Sequence, residues 1–148
     1  MIRIIDQQDQ IFLDFVRSNI RQNVGLDVNY KQETCKTKAI DRDGEELLAV
    51  VVFHDFIPGH RMELSIAAKS PKWGTKKVLF NCFDYCFNIC EVNRIYTQVL
   101  GNNTKALEFN KRLGFEEIAI LPEFTQDIYG KAQDNHVFTM TKKECRWI

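Results

Sequence analysis

Apolar and polar positions recur along the chain in blocks short enough to separate into elements. Ile2 to Ile5 read as a short strand, and Asp6 is placed to cap a helix over Gln7 to Ile20, with Phe12, Phe15 and Val16 or Ile11 and Ile20 facing inward. Residues 21 to 33 are polar, contain Gly25 and predict a loop or a short second helix. Thr34 to Ile40 is a weak strand, Asp41-Arg42-Asp43-Gly44 a strong turn, and Leu47 to Phe53 a β-branched, nearly continuous apolar run. Together they predict a hairpin. Pro58-Gly59 marks the next turn and Met62 to Ala68 a further strand.

Ser70-Pro71 stops that strand. From Thr75 to Cys90 one apolar row runs through Leu79, Phe83, Cys86 or Phe87 and Cys90, and a second through Val78, Cys82, Tyr85 and Ile89. So wide an apolar face belongs to a central, mostly buried helix. Arg94 to Leu100 alternates as a strand. Asn102 or Asn103 then caps a helix whose inner side is Ala106, Leu107, Phe109 or Asn110, and Leu113, and Gly114 closes it. Phe115 to Leu121 and His136 to Met140 supply two last strands. The order β, α, β, β, β, α, β, α, β, β, without repeat or linker, predicts a single α/β (α+β) domain over residues 1–148, a mixed sheet with helices on its faces.

Composition narrows the class. The 148 residues suffice for a core without staples, and 45% apolar with 27% charged residues is the balance of a soluble globular protein. Twenty basic and twenty acidic side chains cancel, so no long-range field draws in nucleic acid or an anionic membrane. Cys35, Cys82, Cys86, Cys90 and Cys145 form an odd set without a CxxC pair, which disfavours a disulfide framework and favours a reducing cytosol. The N-terminus lacks the apolar stretch of a secretion signal. The most apolar segment, Val78 to Cys90, is too short for a bilayer and carries Asn81, Asp84 and Asn88. A soluble, cytoplasmic protein is expected. Cys82, Cys86 and Cys90 share a helix face, but no fourth ligand accompanies them; core packing is expected and no metal.

Lys69-Ser70-Pro71-Lys72-Trp73-Gly74-Thr75-Lys76-Lys77 sets four lysines and no acid at the start of the central helix. Exposed N–H groups and the helix dipole there favour anions, and each misplaced cation costs about 0.3–1 kcal/mol. A phosphate would reverse that cost by bonding amides and lysines together; a solvated loop would also account for the lysines. The segment from Asn102 to Phe115 has a plain reading too, as an Asn cap followed by a Gly114 closure with its Phe115 contact.

In this order the two segments resemble the GNAT superfamily of acyl-CoA-dependent N-acyltransferases, over nearly the whole chain. Asn103-x-x-Ala106 followed by Leu113-Gly114-Phe115 is similar to the signature on the helix after the fifth strand, and Pro71, Trp73-Gly74 and the central helix to the cofactor loop. Glu63, Ser70-Pro71-Lys72-Trp73, Asp84-Tyr85-Cys86-Phe87 and Glu144-Cys145-Arg146-Trp147 resemble a compact subgroup common in phages and prophages.

The resemblance implies a mostly antiparallel mixed sheet splayed between strands four and five, with acetyl-CoA in the V as co-substrate. Its pantetheine would bond the backbone of Ile66, Ala67 and Ala68, and its pyrophosphate the amides of Gly74, Thr75, Lys76 and Lys77. Asn103 would stand near the cofactor arm. The implied activity is acetyl transfer to a primary amine by direct attack in a ternary complex, without metal or covalent intermediate. The acceptor class is open, as is the choice between monomer and homodimer.

The sequence also departs from the family. The second glycine of the cofactor loop is absent, with Lys76 or Lys77 in its place. Asn110 stands where many members carry a tyrosine acid, and Gln98 where some place a glutamate base. Glu63 on the fourth strand is the leading base, with His54, Asp55 and His60 flanking the same turn; His136 reads as structural. The departures also motivate an alternative, a catalytically degenerate GNAT-fold interaction or virion-associated protein.

Overall fold

The computed structural model describes residues 1–19 and 31–148. Its elements are β1 (Ile2–Ile5), α1 (Gln10–Asn19), β2 (Lys36–Arg42), β3 (Glu46–Ile57), β4 (Arg61–Ala68), α2 (Lys76–Asp84), β5 (Arg94–Leu100), α3 (Thr104–Leu113), β6 (Glu116–Gln126) and β7 (Ala132–Thr141). The element order is the one expected from the sequence. The strands form one seven-stranded sheet in the order β1-β2-β3-β4-β5-β7-β6. All neighbours pair antiparallel except β4 and β5, which are parallel because α2 carries the chain back to the starting end of the sheet.

Alternation along the central strands divides the core between the two faces. Phe12, Leu13 and Val16 of α1 pack on Ala39, Val50, Val52 and Ala67. On the other face Val78, Leu79, Cys82, Phe83 and Leu113 from α2 and α3 cover Val51, Phe53, Leu64, Ile95, Phe138 and Met140. The side chains of Glu63, Tyr96 and Gln98 therefore fall on the α1 face, offset in sequence from the residues that bury beneath α2.

Several boundaries differ from expectation. The Asp9 carboxylate, not that of Asp6, accepts from the first turn of α1, at Ile11 N, 3.0 Å. Asp6 instead pairs with the nearly buried Lys38, Nζ–Oδ1 2.5 Å. The inward row is Phe12, Leu13 and Val16, while Ile11 is exposed; Ile20 and most of the 21–33 segment lie outside the described residues. The β2–β3 turn has Asp43 and Gly44 both at positive φ, 56° and 74°, the backbone that an Asp-Gly hairpin turn requires. The central helix stops being α at Asp84 and widens into a π turn over Tyr85–Ile89, closed by Cys90 N donating to Tyr85 O at 2.8 Å. The wide turn keeps adjacent Cys86 and Phe87 both buried. β6 runs past Leu121 because it is an edge strand: Pro122 and Glu123, at φ 47°, form an irregularity, and pairing resumes at Thr125.

Five free cysteines are present, and burial pushes the Cys82 thiol up to about 12, in keeping with a core role. No helix among the described residues is long and apolar enough to cross a membrane.

Candidate active site

β4 and β5 share only three paired positions, Arg61 with Arg94, Met62 with Ile95 and Glu63 with Tyr96. Beyond Glu63, β4 stays in register with β3 as far as Ala68, and β5 with β7 as far as Leu100. Each strand thereby gains an inner edge whose backbone groups have no ladder partner among the described residues. The strands diverge around a cleft of about 770 Å³, lined by Ile66, Ala67 and Ala68 from β4, Thr97 to Leu100 from β5, and Asn103, Ala106, Phe109 and Asn110 at and along α3.

Glu63 stands where the ladder divides, its side chain 13% exposed. Gln98 Nε2 donates to Glu63 Oε2 at 3.3 Å, and Asn135 Nδ2 donates to Gln98 Oε1 at 2.5 Å. Burial pushes the Glu63 carboxyl up to about 7, hydrogen bonds with Tyr96 and Gln98 act against that rise, and the nearby Asp55 charge adds to it. His54 sits opposite Glu63 on β3, with Nε2 2.8 Å from Ser65 Oγ and 4.0 Å from Glu63 Oε2. Burial pushes its imidazole down to about 4, so it is neutral at pH 7.

Asp55, at φ 50° where the β3–β4 register shifts, turns its carboxylate to accept from the Tyr96 hydroxyl and from Arg61 Nε, the latter at 3.2 Å. The Tyr96 bond holds the Asp55 carboxyl below its usual range, while burial and the bond to Asp55 push the Tyr96 phenol up. The apex thus offers one carboxyl that exchanges a proton near neutrality beside an imidazole that does not. A group of that kind suits acid–base chemistry at pH 7.

The basic loop forms the adjoining wall. Ser70 Oγ accepts from Lys72 N at 3.2 Å and opens a single 3-10 turn over Pro71–Trp73. Trp73 is buried against Phe109, ring centres 5.6 Å apart. Thr75 caps α2 by accepting from Val78 N at 3.3 Å. Lys69, Ser70, Pro71 and Trp73 line the cleft, whereas Gly74, Thr75, Lys76 and Lys77 stand beside it at the start of α2. A Cβ on Gly74 would lie 3.9 Å from Phe109 Cζ. The Thr75 amide already donates to Trp73 O at 3.0 Å, so an anion at this helix start would meet the amides of Gly74, Lys76 and Lys77 rather than all four.

Asn103 caps α3, its Oδ1 accepting from Ala106 N at 3.3 Å, and the residue also lines the cleft. Gly114, at φ 103°, closes the helix, and Phe115 N reaches back to Asn110 O at 3.1 Å. Asn110 is buried at the cleft wall. His60 is exposed and serves the entry to β5 through its carbonyl, while His136 pairs with Glu117. Among the described residues no group of three or more His, Cys, Asp or Glu side chains could hold a metal ion.

The cleft therefore gathers Glu63, Ile66, Ala67, Ala68 and Asn103 of the expected residues, with Pro71 and Trp73 of the segment that resembles the cofactor loop, and adds Ser65 and Asn135. Alternation along β5, with Ile95, Thr97 and Val99 on one face, carried the signal for Tyr96 and Gln98 on the other. Asn135 gave none, lying in the polar run Gln133-Asp134-Asn135 ahead of the apolar part of β7.

No protein-family model matches this chain, and no curated protein matches it. Solved structures do. A chimera of spermidine N-acetyltransferase from Vibrio cholerae with hSSAT superposes with a TM-score of 0.74 at 17% identity, over 96% of each chain. The Vibrio cholerae spermidine N-acetyltransferase in complex with CoA and spermine gives 0.74 at 14% identity, over 97% of this chain and 96% of that one. A putative acetyltransferase from T. thermophilus gives 0.71 at 18% identity, over 97% and 87%. The chain has the fold of the GNAT acetyltransferases, with its parallel pair and splay in the expected place.

Proposed function

We propose that this chain moves an acetyl group from acetyl-CoA to a primary amine by direct attack in a ternary complex, with Glu63 as proton acceptor. One observation carries the reading. A largely buried carboxyl group, pushed up by that burial to about 7, stands where the β4–β5 ladder opens into a cleft.

Acetyl-CoA supplies the activated acetyl thioester. The inner edge of β4 at Ile66, Ala67 and Ala68 suits an extended, amide-bearing arm, since its free backbone donors and acceptors need partners. The amides of Gly74, Lys76 and Lys77, with the lysine charges, suit a pyrophosphate. Glu63, ionised in a large fraction at neutral pH, takes the proton that the attacking nitrogen must lose. Neutral His54 adds no positive charge that would hold that proton on the nitrogen's side.

Spermidine is the substrate named for the Vibrio cholerae neighbour. For this chain the carboxyl groups of Glu63 and Asp55 at the apex favour a cationic alkyl amine, from a small molecule or a lysine side chain. A cytoplasmic location and kinship with the phage-type subgroup belong to the same proposal.

Titration calorimetry with acetyl-CoA, followed by thiol release against spermidine, a lysine peptide, a free peptide N-terminus and a nucleobase, tests it. Binding and turnover with an amine are expected. The engaged Thr75 amide and the lysines in place of the second loop glycine favour a second reading, a scaffold without catalysis. Failure to bind acetyl-CoA would leave that one standing.

A further inference from the structure

The orientation of Gln98 bears on the charge of Glu63. A glutamine carboxamide has nearly the same shape when turned end for end, but one end donates and the other accepts. Facing a carboxylate, the N–H end stabilises the charge and the oxygen end repels it. Gln98 is exposed on β5, so its own strand does not settle the choice.

Asn135 does. It is 5% exposed on β7, paired in register with Leu100 on one side and Leu121 on the other. Its Nδ2 donates to Gln98 Oε1 at 2.5 Å, which occupies the oxygen end and leaves Nε2 directed at Glu63 Oε2, 3.3 Å away. We propose that Asn135 is a positioning residue that clamps the Gln98 carboxamide as a hydrogen-bond donor to Glu63. This rests on the reading of Glu63 as the proton acceptor.

The other groups facing Glu63 act beside that donor. From β3 come His54, at 4.0 Å and neutral, and Asp55, whose charge opposes ionisation of Glu63. From β5 comes Tyr96, whose hydroxyl is shared between Asp55 and Glu63 and lowers the Glu63 value beside Gln98, and Arg61 on β4 is tied to Asp55. Burial sets the acceptor's affinity for a proton, and the clamp adjusts it from two strands away, through a side chain that touches neither Glu63 nor the reacting atoms.

The experiment follows the Glu63 carboxyl by carbon-13 NMR in unliganded protein, for the parent and for Asn135→Leu, Gln98→Met and the double variant. Each single change should raise the titration midpoint by about 1 on the pH scale, the value of one hydrogen bond to a carboxylate. The double variant should go no further than either. Asn135→Ala, which removes the same donor without adding bulk or charge, should raise it too, which guards against a folding defect in Asn135→Leu. The acidic limb of the turnover profile should move in the same direction. A midpoint that moves in Gln98→Met but not in the Asn135 variants, or in none of them, overturns the clamp. Absence of turnover in the parent would sink the proposed function instead, and the titration would still decide the clamp.

Discussion

Glu63 Oε2 lies 4.0 Å from His54 Nε2 at paired positions of β3 and β4, the spacing of a salt bridge, yet burial keeps both groups uncharged over most of the range between about pH 4 and 7. Unfolding at about pH 5.5 releases one proton from Glu63 and binds one on His54, so the pair adds no net slope to stability there. Taken singly, the raised Glu63 value gives a contribution complete below 4.5 and lost as pH rises through about 7. The lowered His54 value gives one complete above 6.5 and lost as pH falls through about 4.

Replacing Glu63 by Gln removes one side of that balance. The stability of the variant relative to the parent should grow with pH by about 1–3 kcal/mol between 4.5 and about 7, and stay level outside that window. Urea unfolding at a series of pH values measures it. A difference that does not vary with pH would mean that Glu63 titrates like an exposed carboxylate.

The same substitution tests the chemistry. Glu63→Gln keeps the shape and loses the basicity, so turnover should fall by about 100- to 10,000-fold with acetyl-CoA affinity nearly unchanged. The parent's rate should decline as pH falls through about 7, and the variant's residual rate should be flat there. Equal turnover of the two proteins would return Glu63 to the status of an ordinary strand residue.

At the basic loop, Lys76→Ala and Lys77→Ala should each weaken acetyl-CoA binding by about 2- to 5-fold at low salt, the equivalent of ~0.3–1 kcal/mol per exposed charge at a helix terminus. Both side chains are exposed, so the loss should shrink as salt is added. Calorimetry at two ionic strengths decides it; unchanged affinity at low salt would leave the lysines as solvated surface.

Asn103 has two jobs to separate. Asn103→Ala should cost about 1 kcal/mol of stability through the lost cap, and Asn103→Asp should restore it. If the residue also stands near the cofactor, the added charge should act on its phosphates and the aspartate should bind acetyl-CoA less tightly, by up to about 5-fold, the ~1 kcal/mol of like charges about 4 Å apart in water. Full affinity in the aspartate variant would confine Asn103 to capping.

What could be read from the chain followed the strength of its local signals. The Asp-Gly turn, the wide apolar face of the central helix and the Asn103-to-Gly114 frame are short-range patterns, and the structure places each where the pattern pointed. The π turn at Tyr85 was hidden because apolar spacing does not distinguish helix types once two rows are buried. β7 began earlier than expected because its first residues are polar, with Gln133 bonded to Asp127 and Asn135 lining the cleft. The clamp was illegible for a similar reason: Asn135 and Glu63 lie 72 positions apart, and only the insertion of β7 between β5 and β6 unites them. Thr75 was expected to offer its amide to a ligand, and a contact two residues away had already taken it.

The divergence of β4 from β5 gives this sheet an edge in its interior, unlike the outer edges at β1 and β6. An outer edge is open to any strand or sheet that meets it, and is a standing invitation to aggregate. The interior edge at Leu64 to Ala68 is walled by β5 on one side and by Trp73 and α3 near its end, so a second sheet cannot dock on it. Only an object as slender as a single extended chain can slide in and complete its pairing. The gap selects by cross-section before any side chain is consulted.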